Sequence, residues 1–122
     1  MKPQSYLSPR GKEIFQEIVN HCNNFGISVS AMSFELSILS NSYDLYERNA
    51  VIVNSGGGGV EMGDKGYRQV SPEYTIMKNE YANIQKHGIK FGLNPLDFEK
   101  IMKAKGGKPK ESEKDDLAEL QG

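Results

Sequence analysis

The chain has 122 residues, of which 15 are Lys or Arg and 16 are Asp or Glu, and its formal net charge is −1. This balance excludes a uniformly basic nucleic-acid binder, so any nucleic-acid contact must come from a local concentration of charge. The hydrophobic share of 37% is low for a domain of this length that folds alone, which predicts self-association. The single cysteine, Cys22, excludes an intramolecular disulfide.

Ser-Pro and Gly positions predict where the first helix begins and ends. Ser8 is the predicted N-cap, Pro9 the first helical residue and Gly26 the residue that ends the helix. Apolar residues recur between them at helical spacing: Ile14, Phe15, Ile18, Val19 and Cys22. A second helix follows, with three candidate N-caps: Ser28, Ser30 and Ser33.

Two long helices are predicted to carry matching apolar seams. The spacing in both seams is 3, 4, 3, 4 and 3 residues. The first seam comprises Leu36, Leu39, Tyr43, Tyr46, Ala50 and Val53. The second follows the Ser71-Pro72 helix start and comprises Tyr74, Met77, Tyr81, Ile84, Gly88 and Phe91. Heptad spacing is typical of helices that pack against each other or against another copy, and the economical arrangement is an antiparallel helical hairpin.

Between the seams, four glycines and two short β-prone runs predict a small β-hairpin near residues 60–70. Asn94 and Pro95 predict the N-cap and first residue of a short last helix. The predicted fold class is mainly α: two long helices in a hairpin, an N-terminal helix, a short C-terminal helix and the inserted β-hairpin. Residues 1–107 are predicted to form the oligomerisation and DNA-binding domain, and residues 108–122 a charged, disordered tail.

Charge is concentrated at the C-terminal end. Seven lysines between residues 86 and 110 are opposed only by Asp97 and Glu99, a net charge of +5, whereas residues 111–122 carry −4. The pattern indicates a phosphate-contacting patch beside an acidic segment that binds a partner or competes with DNA; a solvated helix end is the alternative. The candidate DNA contacts are Lys100, Lys103, Lys105, Lys108 and Lys110, followed by Arg10 and Lys12.

The sequence contains no residue pattern typical of an enzyme, a metal site or a cofactor site. We therefore expect no catalytic activity, no bound metal and no cofactor. His21 and Cys22 are neighbours that point about 100° apart on a helix, and His21 is predicted to be a helix-surface residue. Asp44 is predicted on an exposed face, with Arg48 as its ion-pair partner one turn later. The seam tyrosines could stack on bases, but packing between helices is favoured. No apolar run approaches the length of a membrane span.

The order of elements resembles a known family. A long helix contains Asp44-Leu45-Tyr46; a Gly-rich break and a β-prone segment follow; a helix then starts at Ser71-Pro72 and ends at Gly92-Leu93-Asn94-Pro95. This resembles the terminase small subunits of tailed phages, which commonly show a Tyr-bearing helix, a Gly-containing hairpin, an Asn-Pro helix start and a closing Gly-Leu-Thr-Pro. Ser71 and Asn94 replace the family's Asn and Thr, and all of these are N-capping residues. The resemblance covers about residues 8–105.

The resemblance implies a ring-shaped homo-oligomer in the host cytoplasm. It would bind double-stranded phage DNA and deliver it to the terminase large subunit, which carries the ATPase and nuclease activities. Two alternatives remain open. A helix-turn-helix regulator could use residues 12–40, although the second of those helices has no Lys or Arg before Arg48 for reading base edges. An oligomeric scaffold module without DNA binding would leave the basic block solvated.

Overall fold

The structure is a computed structural model that describes residues 1–56, 60–62 and 68–104. Its helices are α1 (Pro9–Asn24), α2 (Ser33–Ser55), α3 (Pro72–Gly88) and α4 (Pro95–Ala104), and its strands are β1 (Val60–Met62) and β2 (Arg68–Val70). A 3-10 turn at Ile89–Phe91 continues α3 towards α4. The mainly helical fold class is confirmed. No helix in these ranges is both long enough and apolar enough to cross a membrane.

Side-chain caps begin α1, α3 and α4 at the residues predicted from the sequence. In each case a side-chain oxygen accepts a hydrogen bond from a backbone N–H of the first turn, which has no partner within the helix. The three bonds are Gly11 N to Ser8 Oγ (3.0 Å), Tyr74 N to Ser71 Oγ (3.2 Å) and Asp97 N to Asn94 Oδ1 (2.8 Å). Local sequence therefore determines where these three helices start.

The start of α2 differs from the prediction. Ser33 is its first helical residue, and Met32 before it makes no side-chain capping bond. Neither Ser28 nor Ser30 caps the helix. Ser33 Oγ instead donates a 2.6 Å hydrogen bond to the backbone carbonyl of Lys2. The serine is thus engaged by the N-terminal segment, a long-range contact that local capping rules do not include.

The hydrophobic core lies between α1, the first half of α2 and the turn after α3. Phe15, Leu36 and Phe91 are completely buried in it. The thiol of Cys22 donates to the carbonyl oxygen of Phe91 at 3.8 Å, so the turn packs directly on α1. The whole cluster comprises Leu7, Ile14, Phe15, Ile18, Val19, Cys22, Ile27, Val29, Leu36, Leu39 and Phe91.

Helices α2 and α3 pack against each other along their lengths. Lys90 Nζ, just beyond α3, lies 2.8 Å from Glu35 Oε2 near the start of α2. Further along α2, the ring of Tyr46 is 6.3 Å from that of Tyr81, at an earlier position of α3. The contacts therefore progress in opposite directions along the two helices. At their far ends β1 pairs with β2 in antiparallel register.

The two seams differ in burial. Leu36, Leu39 and Val53 of α2 are buried, and the remaining α2 seam residues, Tyr43, Tyr46 and Ala50, are half-buried. On α3 the seam is more open, because Tyr81 keeps 54% of its surface exposed. The α2 seam is therefore largely closed, while the α3 side retains exposed aromatic surface.

Gly92 ends the 3-10 turn in the left-handed region, with φ of 61°. A Cβ at this position would lie 3.2 Å from Phe98 Cα and 3.3 Å from Ile101 Cδ1. We expect Gly92→Ala to lower the free energy of unfolding by about 2 kcal/mol, because left-handed backbone and crowding both disfavour a side chain. Urea denaturation measures this loss.

The matched control is Gly56→Ala. Gly56 has φ of −146°, and among the described residues its added Cβ would meet only the carbonyl oxygen of Ile52, at 3.8 Å. Its unfolding midpoint should stay near that of the wild type. Equal losses at the two glycines would contradict the role assigned to the left-handed turn.

Candidate assembly and nucleic-acid surfaces

Two of the predicted DNA-contacting lysines lie one turn apart on the exposed face of α4. Lys100 and Lys103 are both exposed. Lys103 Nζ is 3.9 Å from Glu99 Oε1, an exposed ion pair of a kind that contributes at most about 1 kcal/mol and leaves the ammonium accessible. The remaining predicted lysines, Lys105, Lys108 and Lys110, lie outside the described residues.

Aromatic contacts hold α4 against the end of α1. The rings of Phe25 and Phe98 meet edge to face with centroids 4.7 Å apart, and His21 lies 5.3 Å from Phe25 and 6.1 Å from Phe98. His21 Nε2 is also 3.3 Å from the carbonyl oxygen of Gly92. The prediction of a helix-surface histidine is therefore wrong: α4 folds back on this end of α1 and half-buries His21.

Arg10 was predicted to contact DNA, but its guanidinium is engaged within the chain. Its Nε and Nη2 atoms each donate to Glu47 at 2.9 Å, and Nη1 lies 3.1 Å from Glu13 and 3.4 Å from Glu17. The Glu47 hydrogen bonds raise the pKa of Arg10. Arg10 therefore joins α1 to α2, and a DNA contact by the same guanidinium stays a prediction. Lys12 is exposed on α1, and its DNA contact stays a prediction.

The Arg10 contact makes stability depend on pH. Hydrogen bonds from Arg10 lower the pKa of Glu47 below its ordinary value. Because the folded pKa is depressed, the contribution is fully present above the unfolded pKa of about 4.3 and is lost as pH falls through the folded value. We expect Glu47→Gln to lose less stability than the wild type between pH 7 and pH 3, measured by urea midpoints. An unchanged pH dependence would count against the pair; Glu73→Gln is the control.

Asp44 is buried, contrary to the exposed face predicted for it. Only 3% of its surface is accessible. Ser8 Oγ donates to Oδ2 at 2.6 Å, and Arg48 lies 3.0 Å from Oδ1 and 2.9 Å from Oδ2, as the predicted partner one turn away. Ser8 thus caps α1 and bonds to α2 through one hydroxyl. The contact between α1 and α2 buries Asp44, and residue spacing within α2 alone could not predict that contact.

Helix α2 also carries a second apolar face, which we call the outer stripe. It comprises Phe34, Ile38, Leu45 and Ile52, whose separations of 4, 7 and 7 residues place them on one side of the helix. Phe34 is 70% exposed, and Ile38 and Ile52 about half exposed. At 100° per residue the outer stripe lies on the side opposite the seam. The spacing was present in the sequence, but the continuous seam was the more prominent pattern and the outer stripe was missed.

A second open surface, the tyrosine groove, lies between α2 and α3. It is lined by Tyr46, Tyr74, Met77, Lys78 and Tyr81 and has a cavity volume of about 260 Å³. Four of the five residues come from consecutive turns of one face of α3. In the described part of the chain, no group of His, Cys, Asp and Glu side chains is arranged to hold a metal ion.

Comparison with protein-family models, with curated proteins and with solved structures found no match. Within residues 1–56, 60–62 and 68–104, the α4 lysines, the outer stripe and the tyrosine groove are three candidate surfaces for function. Each is defined by side chains that the structure places at the surface.

Proposed function

We propose that this chain is the small subunit of a phage terminase: a non-enzymatic, self-assembling protein that binds viral DNA and delivers it to the large ATPase and nuclease subunit. The observation that carries the proposal is the outer stripe of α2. Phe34, Ile38 and Ile52 expose apolar surface along one face of the longest helix, and such a face is typical of an interface with another protein. A second copy of the chain would cover it in a ring.

Within each subunit, α2 and α3 would form an antiparallel helical hairpin ending in a β-hairpin. The opposed progression of the Glu35–Lys90 and Tyr46–Tyr81 contacts supports this arrangement, as does the antiparallel pairing of β1 with β2. The hairpin leaves the outer stripe unpartnered, because the seam of α2 already faces α3. Subunits could therefore associate without disturbing the packing inside each one.

DNA binding would come from repetition. A subunit presents only a few exposed lysines, among them Lys100 and Lys103 on α4, and so would bind duplex DNA weakly. A ring repeats the patch and raises the overall affinity through effective concentration. We expect Lys100 and Lys103 to contact phosphates rather than base edges, so binding should weaken steeply as salt increases.

The test of assembly is the solution mass of the purified chain, measured by light scattering after size exclusion. We expect a single species of many subunits for the wild type and smaller species for the Ile38→Asp/Ile52→Asp variant. Leu96→Asp is the matched control, since Leu96 is 60% exposed on α4 and outside the stripe. Circular dichroism verifies that each variant is folded. A monomeric wild type would overturn the ring.

The DNA arm uses the same samples with duplex DNA over a range of salt concentrations. Each phosphate-contacting lysine that is lost reduces the slope of log affinity against log salt by about 1, so Lys100→Glu/Lys103→Glu should reduce it by about 2 per bound subunit. Lys2→Glu is the control for general loss of positive charge. Binding that is insensitive to salt, or to the double reversal, would contradict the proposed contact and favour a scaffold without DNA binding.

A further inference from the structure

The tyrosine groove has the composition of a binding surface for a short amphipathic segment. Its walls are aromatic and thioether side chains, and its one charged residue is Lys78. Tyr74, Met77, Lys78 and Tyr81 stand at positions i, i+3, i+4 and i+7 of α3, so they form one continuous face. An apolar trough beside a single cation suits a partner with a few apolar anchors and negative charge.

Lys78 has no acidic partner among the described residues. None of the ion pairs there includes its ammonium. The two other charged residues in this half of α3, Glu73 and Glu80, lie about 140° and 160° around the helix from Lys78, at 100° per residue, on the Met77 side of the groove. The Lys78 side of the groove therefore offers a positive charge that an acidic segment would complement.

The C-terminal sequence of the chain supplies such a segment. Beyond Ala104, Leu117 and Leu120 are the only large apolar residues, and three positions separate them. Asp115, Asp116 and Glu119 surround them. On a helical turn the two leucines would project side by side, with carboxylates next to them. Two apolar anchors with adjacent acids match a groove of tyrosines with one lysine.

The length of chain is sufficient to reach the groove. Tyr81 to Ala104 spans at most about 43 Å even if the end of α3, the 3-10 turn, the connecting residues and α4 were laid end to end. The thirteen residues from Ala104 to Leu117 extend up to about 45 Å. The real separation is shorter, because α4 folds back on α1 through the Phe25–Phe98 contact. Covalent attachment also gives the segment a high effective concentration at the groove.

We propose that residues 115–120 dock in the tyrosine groove of their own chain, with Leu117 and Leu120 between the tyrosine rings and the neighbouring carboxylates beside Lys78. This contact does not depend on the terminase assignment. It gives the acidic segment a defined place on the hairpin, away from the lysines of α4.

The test is NMR of the full chain labelled with ¹³C in the tyrosine rings, with signals assigned from single Tyr→Phe variants. Leu117→Ser/Leu120→Ser should shift the ring signals of Tyr46, Tyr74 and Tyr81 and leave that of Tyr6 unchanged. Leu96→Ser is the matched control, since it removes an exposed leucine elsewhere. The solution mass of every sample is measured, so that a change in assembly is not mistaken for undocking.

A charge exchange tests the polar half of the contact. Lys78→Glu should shift the same three ring signals, and adding Asp116→Lys and Glu119→Lys should return them towards the wild-type positions. Any of three results would overturn the proposal: unchanged ring signals in the leucine variant, equal shifts in the Leu96→Ser control, or no recovery on charge exchange. The proposal would also be overturned if the tyrosine ring signals are unchanged in the tail variants but shift when single-stranded oligothymidylate is added. That result would identify the groove as a nucleic-acid-binding surface.

Discussion

Replacing Phe91 with alanine should lower the free energy of unfolding by about 4 kcal/mol, as is typical when a buried phenylalanine is truncated and a cavity is left. Phe91 has no accessible surface, and the thiol of Cys22 donates to its carbonyl oxygen. The ring fills the space between α1, α2 and the turn after α3. Urea denaturation followed by circular dichroism, at one fixed protein concentration, measures the loss.

The control is Leu96→Ala, at the second residue of α4, where the leucine is 60% exposed. Surface truncations of this kind usually change stability by less than about 0.5 kcal/mol. A loss below about 1.5 kcal/mol for Phe91→Ala would mean that the site collapses around the smaller side chain. The turn would then not be the rigid connection between α3 and α1 that its burial indicates.

Removing the Asp44 carboxylate should be nearly as damaging, with a loss of about 3 kcal/mol for Asp44→Ala. The carboxylate is buried and accepts hydrogen bonds from Ser8 and Arg48. Its removal deprives the Ser8 hydroxyl of its acceptor and separates the start of α1 from α2. Thermal or urea unfolding of the variant at neutral pH measures the loss.

A double-mutant cycle isolates the contact between the helices. Ser8→Ala is made in the wild type and in Asp44→Ala, and the coupling energy should be about 1 kcal/mol or more, because the two residues share a direct hydrogen bond. Glu13→Ala, an exposed carboxylate on α1, controls for loss of a surface charge. If the losses in free energy of unfolding from Ser8→Ala and Asp44→Ala are strictly additive, the hydrogen bond between the two residues does not account for the loss in Asp44→Ala.

The parts of the fold that were predicted correctly depend on residues close together in sequence. Ser8, Ser71 and Asn94 cap their helices through backbone groups three residues away. Gly92 takes the left-handed conformation that ends the turn. These signals are local, so the helix starts could be read from short stretches of sequence.

The errors all involve contacts between distant residues. Ser33 bonds to the N-terminal segment, Asp44 to the cap of α1, and His21 to the turn that brings α4 back. The pairing of Arg10 with Glu47, 37 positions away in sequence, was not predicted either. Helical periodicity identifies which face of a helix a residue occupies, but not what that face meets.

The candidate site was predicted only in part for the same reason. Lys100 and Lys103 could be proposed from local charge, and the structure shows both exposed. The exposure of the outer stripe and of the tyrosine groove could not be predicted from the sequence, because which residues are exposed depends on which others are buried by packing between the helices. Binding of DNA or of another protein at these surfaces is therefore a proposal, which the solution-mass and salt-dependence measurements test.

The two apolar faces of α2 have a consequence for how freely this helix can vary. The seam side is closed by Leu36 and Leu39, and the sides between the faces include the buried Ser37 and Ser40, where larger residues would clash. If the outer stripe is also covered in the assembly, few positions of α2 remain at which a random substitution is neutral. A substitution scan should then find α2 the least tolerant helix of the chain, with α1 retaining a freely variable solvent side around Gln16.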